Sequence, residues 1–280
     1  TLSDTTLAAT SLNALNALTT GVINAASVTT LTGAAADANT SYAANAAGTV
    51  SGLGNEAVTI SDTTLAVTVL NTLNAYTSGA INANTVTTFT GAAVDVETLY
   101  NASGISGLGN EAITLSDTSI TATLMNQING FTSGVVAAAD VTTITGNVEN
   151  INAVYASANA SPIEISGLGD EAVTITDTSL VVSLLNTLDS YTTGLVDAST
   201  ITTLTGLAAE LNTALTSNGI TNLGNEAITL TDTTLAAAVL NTLDGNTTGV
   251  VNASSVTTLT GLYADVNASY TANAAGTISG

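Results

Sequence analysis

The stretch Gly54–Leu65 reads GNEAVTISDTTL, and it is written again at Gly109–Ile120, Gly169–Leu180 and Gly224–Leu235. The sequence opens inside a fifth copy, at Thr1–Leu7. An internal period of this length marks an array of stacked units, each burying an apolar face against its neighbours. Two glycine series set the period. Gly21, Gly79, Gly134, Gly194 and Gly249 form one; Gly33, Gly91, Gly146, Gly206 and Gly261 form the other. Both step by 58, 55, 60 and 55 residues, and the two members of a pair stay 12 apart. Length variation is confined to the stretch after the second glycine, as in Ser41–Ser51 and Ala156–Ser166, which holds the only proline, Pro162. Variation of that kind predicts a surface loop. The units are placed at 1–58, 59–113, 114–173, 174–228 and 229–280, one continuous array whose first and last units are cut.

Within a unit, Leu65, Val69, Leu70, Leu73 and Tyr76 recur at helical spacing and predict an amphipathic helix of about four turns. Ser61 or Asp62 is placed as its N-cap. Asp4, Asp62, Asp117, Asp177 and Asp232 hold that position in all five copies. A carboxylate there faces the positive end of the helix dipole. Gly79 and its equivalents suit a C-terminal stop. A second helix is read through Val86, Phe89, Val96 and Leu99 or Tyr100, with Gly91 inside it. A glycine there costs about 1 kcal/mol against alanine, which points to a close contact with a neighbour. Val58–Ile60 and Ala80–Ile81 read as very short strands, and Ile105–Leu108 as a third. The two halves of a unit share the pattern apolar, polar, any, polar, hydroxyl, apolar, as in Ile60–Leu65 and Ile81–Val86. The expected fold is an α/β solenoid of stacked strand–helix–strand–helix units with short parallel strands; the runner-up is an all-α solenoid.

Composition excludes several functions. The 280 residues contain no Lys, Arg or His against 21 Asp plus Glu. Side-chain salt bridges are therefore impossible, nothing can neutralise nucleic-acid phosphate, and anionic membranes should repel the chain. With no Cys there is neither a disulfide nor a thiolate metal site. Apolar residues make up 45%, yet Thr, Asn or Asp interrupts every run well short of the ~18 residues of a membrane span. Their periodicity argues against disorder.

Candidate chemistry is sparse. Without His, Cys or Lys the usual bases and nucleophiles are missing. Carboxylate pairs exist, Asp95 with Glu97, Asp170 with Glu171 and Glu56 near Asp62, and could in principle suit a glycosidase. They belong to repeated framework positions, so they read as solvated charge and helix capping, and no enzyme is expected. Calcium is the better question. Glu56, Glu111, Glu171 and Glu226 recur beside glycine turns with Asp62, Asp117, Asp177 and Asp232 six residues on, and stacking could align them into a weak Ca²⁺ row. No Asp-x-Asp-x-Asp-Gly loop accompanies them. Asn13, Asn71, Asn126, Asn186 and Asn241 follow a core residue in every copy, and a ladder of such amides could bond between coils. The Thr-x-Thr strings, such as Thr257–Thr260, raise an ice-binding surface as a minor alternative, weakened by their placement on helices.

The strings Gly249–Gly261 (GVVNASSVTTLTG) and Ser106–Asp117 (SGLGNEAITLSD) resemble the tandem repeats of giant cell-surface proteins of marine cyanobacteria, including the type needed for non-flagellar swimming. The resemblance covers the whole chain. It implies an extracellular, fibrous or surface-layer role and carries over no catalytic residue. The expected function is thus a structural segment of a long fibre, stalk or surface coat that self-associates into a filament or layer. A calcium-bridged adhesin array and an ice-binding module are the alternatives.

Overall fold

The computed structural model describes residues 1–280 and has an α/β architecture in which short parallel strands alternate with ten helices. The helices are α1 (Ala9–Leu18), α2 (Ala35–Ala46), α3 (Val67–Tyr76), α4 (Ala93–Tyr100), α5 (Ala122–Phe131), α6 (Val148–Ala158), α7 (Val182–Tyr191), α8 (Ala208–Leu215), α9 (Ala237–Asn246) and α10 (Tyr263–Ala275). Two compact units with interleaved segments account for the chain. The first comprises Thr1–Asp117, Gln127–Asp140 and Ala160–Gly167; the second comprises Thr118–Asn126, Val141–Asn159 and Leu168–Gly280.

The first unit contains two five-stranded parallel sheets and one strand pair. A column of apolar side chains runs across each five-stranded sheet. Leu7, Leu31, Val58, Ile81 and Ile105 pair in register in one. Leu65, Phe89, Ile113, Val136 and Ile165 do so in the other. The second unit repeats the device with Ile120, Ile144, Val173, Val196 and Ile220. Leu180, Leu204, Ile228, Val251 and Ile278 form its second full column, and a short strand pair aligns Leu235 with Leu259. Parallel neighbours need a crossover between them, and a helix supplies each one. Successive members of a column lie 23 to 29 residues apart, so each sequence unit makes two coils. The internal half-repeat similarity reflects this.

Inside the coils the helices bury one stripe. Val67, Leu70 and Leu73 of α3 are buried, as are Val182, Leu185 and Leu188 of α7. Removing each such side chain from water contributes about 1.5–3 kcal/mol. No helix is long and apolar enough to cross a membrane.

Four expectations are corrected. Leu65 and its equivalents lie in strands, Thr64–Ala66 in this copy, and the helix that follows is only 10 residues long. Thr-Leu-Ala can extend the helical stripe backwards on paper, but Thr88–Thr90 of the next coil offers it a parallel partner. Gly91 closes the strand Thr88–Gly91 and lies outside α4, with φ at +150°, and a Cβ there would meet the Val67 side chain at 2.5 Å. Gly79 does not end α3 in a left-handed turn: the C-cap is Thr77, in extended conformation. What Gly79 permits is close approach, since a Cβ there would collide with the Glu56 carbonyl of the preceding coil. Length variation is also partly helical, because α2, α6 and α10 run 12, 11 and 13 residues where α4 and α8 have 8.

The repeat boundaries read from sequence cut through strands. Positions 58/59 and 113/114 fall inside Ala57–Ile60 and Ala112–Leu115. The repeat is therefore a phase of the pattern rather than a separately closed globule.

Candidate functional site

The most unusual feature is a buried glutamate in a chain with no cation to pair it. Glu56, Glu111, Glu171 and Glu226 are each at most 1% exposed. They sit at the entry of the strands beginning at Ala57, Ala112, Ala172 and Ala227, in the turn opened by Gly54, Gly109, Gly169 and Gly224. A buried carboxylate without hydrogen bonds would be very costly. Here the turn itself supplies donors. Gly54 N–H donates to Glu56 Oε2 at 2.8 Å, and the Gly109 and Asn110 N–H groups donate to Glu111 Oε2 at 2.8 and 3.1 Å. Gly169 N–H reaches both oxygens of Glu171, and Gly224 and Asn225 serve Glu226.

A tyrosine from the preceding helix completes three of the four sites. Tyr42 donates to Glu56 at 3.1 Å, Tyr100 to Glu111 at 2.7 Å and Tyr155 to Glu171 at 2.8 Å. Burial pushes all three phenols above their ordinary value near 10, and the adjacent glutamate adds to the effect. Each ring also stacks on an aromatic side chain at the end of the next helix: Tyr42 on Tyr76, Tyr100 on Phe131 and Tyr155 on Tyr191, at 6.0, 5.2 and 6.0 Å between centroids. The fourth copy replaces both members at once, with Leu215 for the tyrosine and Asn246 for the aromatic. Below the carboxylate, a threonine hydroxyl clasps the glutamate's own carbonyl. Thr77 donates to Glu56 O at 3.1 Å while accepting from Gly79 N–H at 2.9 Å. Thr132, Thr192 and Thr247 repeat the pattern.

The aspartates do something different from what their position in sequence suggests. Ala66, the N-cap of α3, makes no side-chain cap bond, and Asp62 turns away from that helix. Its Oδ2 accepts from the Ala35 N–H, the first residue of α2 in the coil before, at 2.8 Å. Asp117 holds the Ala93 N–H of α4, Asp177 the Val148 N–H of α6 and Asp232 the Ala208 N–H of α8 in the same way. The expected cap on each aspartate's own following helix is not among these bonds; the carboxylate holds the neighbouring coil's helix instead. Asp4 is exposed, with no helix of this sequence before it.

The asparagine side chains form rungs in the other direction. Asn13 donates to Asp37 O, Asn71 to Asp95 O, Asn126 to Asn150 O, Asn186 to Glu210 O and Asn241 to Asp265 O, all at 2.9–3.0 Å. They are half-buried. A second set, Asn39, Asn152 and Asn212, donates onward to Val69, Leu184 and Val239. The sequence reading does not contain this second set, and it places Tyr100 only on a helical stripe, without its bond to Glu111. The tyrosine had a signal, since it precedes its glutamate by 11 to 16 residues in three copies.

The glutamates and aspartates proposed as a calcium row are thus engaged with separate main-chain donors. No group of three or more His, Cys, Asp or Glu residues lies together. One oxygen each of Glu56, Glu111 and Glu226 is buried without a hydrogen-bond partner. Elsewhere, the Asn222 amide and the Ser199 main chain hold the Asp197 carboxyl below the usual range. The Thr-x-Thr strings stand on strands rather than helices, for example Thr30–Gly33 and Thr88–Gly91. No family model, curated protein or solved structure matches the chain.

Proposed function

We propose that this chain is a structural extracellular repeat protein, a segment of a long fibre, stalk or surface coat that self-associates and is not an enzyme. One observation carries the reading: the repeated polar side chains tie one coil to the next, copy after copy. Asp62, Asn71 and Thr77 each have an equivalent making the same kind of bond elsewhere. Bonds of this kind add to the nearest-neighbour interfaces on which the stability of a stacked array depends, as a spacer requires. The resemblance of Gly249–Gly261 and Ser106–Asp117 to giant surface proteins supports the extracellular part of this reading. Immunogold labelling of intact source cells tests the reading. Label on external fibres or a coat is expected; label confined to the interior would end it.

The placement of Thr-x-Thr on strands favours a second reading, an ice-binding surface. Outward hydroxyls in parallel strands recur about 4.8 Å apart across the sheet and roughly 6.7 Å along it. The rows are short, since Thr30 aligns with Ala57 and Thr59 with Asn82. Unchanged ice recrystallisation in the presence of the chain would remove this reading.

A further inference from the structure

We propose that Asn218 and Gly219 form a self-modification site at which the folded chain ages: the Asn218 amide is lost as ammonia, and the product loosens the joint with the coil before. The sequence holds two Asn-Gly pairs, Asn129–Gly130 and Asn218–Gly219. Asparagine is a labile residue. It is most so before glycine, where no side chain shields the next nitrogen and the backbone reaches the conformations that ring closure needs. The fold separates the two pairs. Asn129 and Gly130 lie inside α5, where the helical ladder fixes the backbone, and the Asn129 amide donates to Glu164 Oε2 at 3.1 Å. Asn218 is exposed, in the bend between α8 and the strand Ile220–Thr221. Gly219 N–H bonds a neighbouring hydroxyl, Ser217 Oγ at 3.0 Å, rather than a main-chain carbonyl.

The reaction balances with water alone. The Gly219 nitrogen gives its proton to hydroxide and attacks Asn218 Cγ. The Cγ–Nδ2 bond breaks, Nδ2 takes a proton from water and leaves as ammonia, and a succinimide ring remains. Water then opens the ring at either carbonyl. Attack at Cγ breaks the new bond to nitrogen and gives aspartate. Attack at the Asn218 main-chain carbonyl breaks its bond to Gly219, which stays joined through Cγ as isoaspartate, with an extra methylene in the main chain. The surroundings make this a structural event. Ser217 and Gly219, on either side of Asn218, both pack on the Asp189 carboxylate, and Ser217 Oγ donates to its Oδ2 at 2.8 Å. The new carboxylate therefore forms beside an existing one, in a chain without a Lys, Arg or His to offset it. Gly219 O accepts from Val196 N–H at 2.8 Å, and Ile220 and Thr221 pair with Val196 and Asp197. The longer main chain of isoaspartate displaces that carbonyl and pulls the strand out of register.

Peptide mapping of the folded 280-residue chain, aged in mildly alkaline buffer, tests this, with pepsin for the digestion because trypsin has no site. The expected result is the mass gain of amide to acid at Asn218, together with methylation by protein isoaspartyl methyltransferase. Asn218 should react about ten-fold or more faster than Asn129, where reaction waits for α5 to open. In urea the two pairs should react at similar rates. The aged chain should exchange the Val196 amide about five-fold faster, the effect of losing one hydrogen bond. Asn218→Gln aged alongside should keep the exchange of fresh protein. Asn129 keeping pace with Asn218 in the folded chain, or Asn218 intact over the time in which the urea-unfolded chain reacts, would overturn the site. Modified chain with unchanged exchange at Val196 would overturn the loosening of the joint.

Discussion

The Asp62 carboxylate lies 2.8 Å from the main-chain N–H of Ala35, 27 residues earlier and one coil away. The aspartate therefore staples two coils together instead of starting its own helix. Ala35 is fully buried while Asp62 is half-buried, so the staple lies at the edge of the core.

Asp117→Ala should remove the equivalent staple on Ala93. The expected loss is about 1 kcal/mol, typical of a missing cap. Faster amide exchange at Ala93 and a lower urea midpoint would report it, with Asp117→Asn retaining part of the effect. Unchanged exchange at Ala93 would show that the bond contributes nothing.

Glu111→Leu should be more damaging. It leaves the Tyr100 hydroxyl and the Gly109 and Asn110 N–H groups without their acceptor, at about 1–3 kcal/mol per buried group. Glu226→Leu should cost less, because no tyrosine depends on Glu226 there. Equal losses in urea denaturation would contradict the role assigned to the phenol.

Leu215→Tyr should stabilise the fourth copy by restoring the missing donor to Glu226, worth about 1 kcal/mol. A higher melting temperature is the expected readout. No gain, with the fold intact, would mean that the pocket has closed around leucine.

Gly134→Ala should destabilise by about 1–3 kcal/mol, since the new methyl would overlap the Glu111 carbonyl and lie 2.7 Å from the Ala112 nitrogen. Gly21→Ala is the control. A Cβ there meets only Thr19, at 3.5 Å, and its effect on the urea midpoint should be small.

Alkali should unfold the chain through its buried phenols. Tyr42, Tyr100 and Tyr155 are raised by burial above the value near 10 that they have when unfolded. A folded state that holds these protons more tightly keeps its full stability below about pH 10 and loses it as pH rises towards the folded values. Phenolate absorbance from these three should appear together with loss of helical circular dichroism. Their ionisation near pH 10 in a fully folded chain would refute the burial argument.

Much of this was legible in the residues. Leu70 and Leu73 announce a helix face, and Val58 and Ile60 an alternating strand, because each pattern depends only on neighbours in the chain. The strand at Thr64–Ala66 was not legible: Leu65 fits the helical stripe of Leu70 and Leu73, and its partner Phe89 lies in the next coil. Gly79 looked like a helix stop for the same reason. The atom that demands a glycine there belongs to Glu56, 23 residues away.

The sequence by itself determined the period and the exclusion of salt bridges, disulfides and thiolate metal sites, since periodicity and residue inventory need no coordinates; it favoured parallel α/β stacking and left an all-α solenoid open. Only the tertiary structure decided which coil each polar side chain serves. Glu56 and Asp62 looked like a pair of surface carboxylates aligned for a cation, yet one is buried on a tyrosine and the other caps a helix in the coil before. The physical reason is that a hydrogen bond reaches about 3 Å in space, whatever the separation along the chain. Once stacking brings residues 23 to 29 positions apart side by side, the nearest donor is no longer the one that follows in sequence.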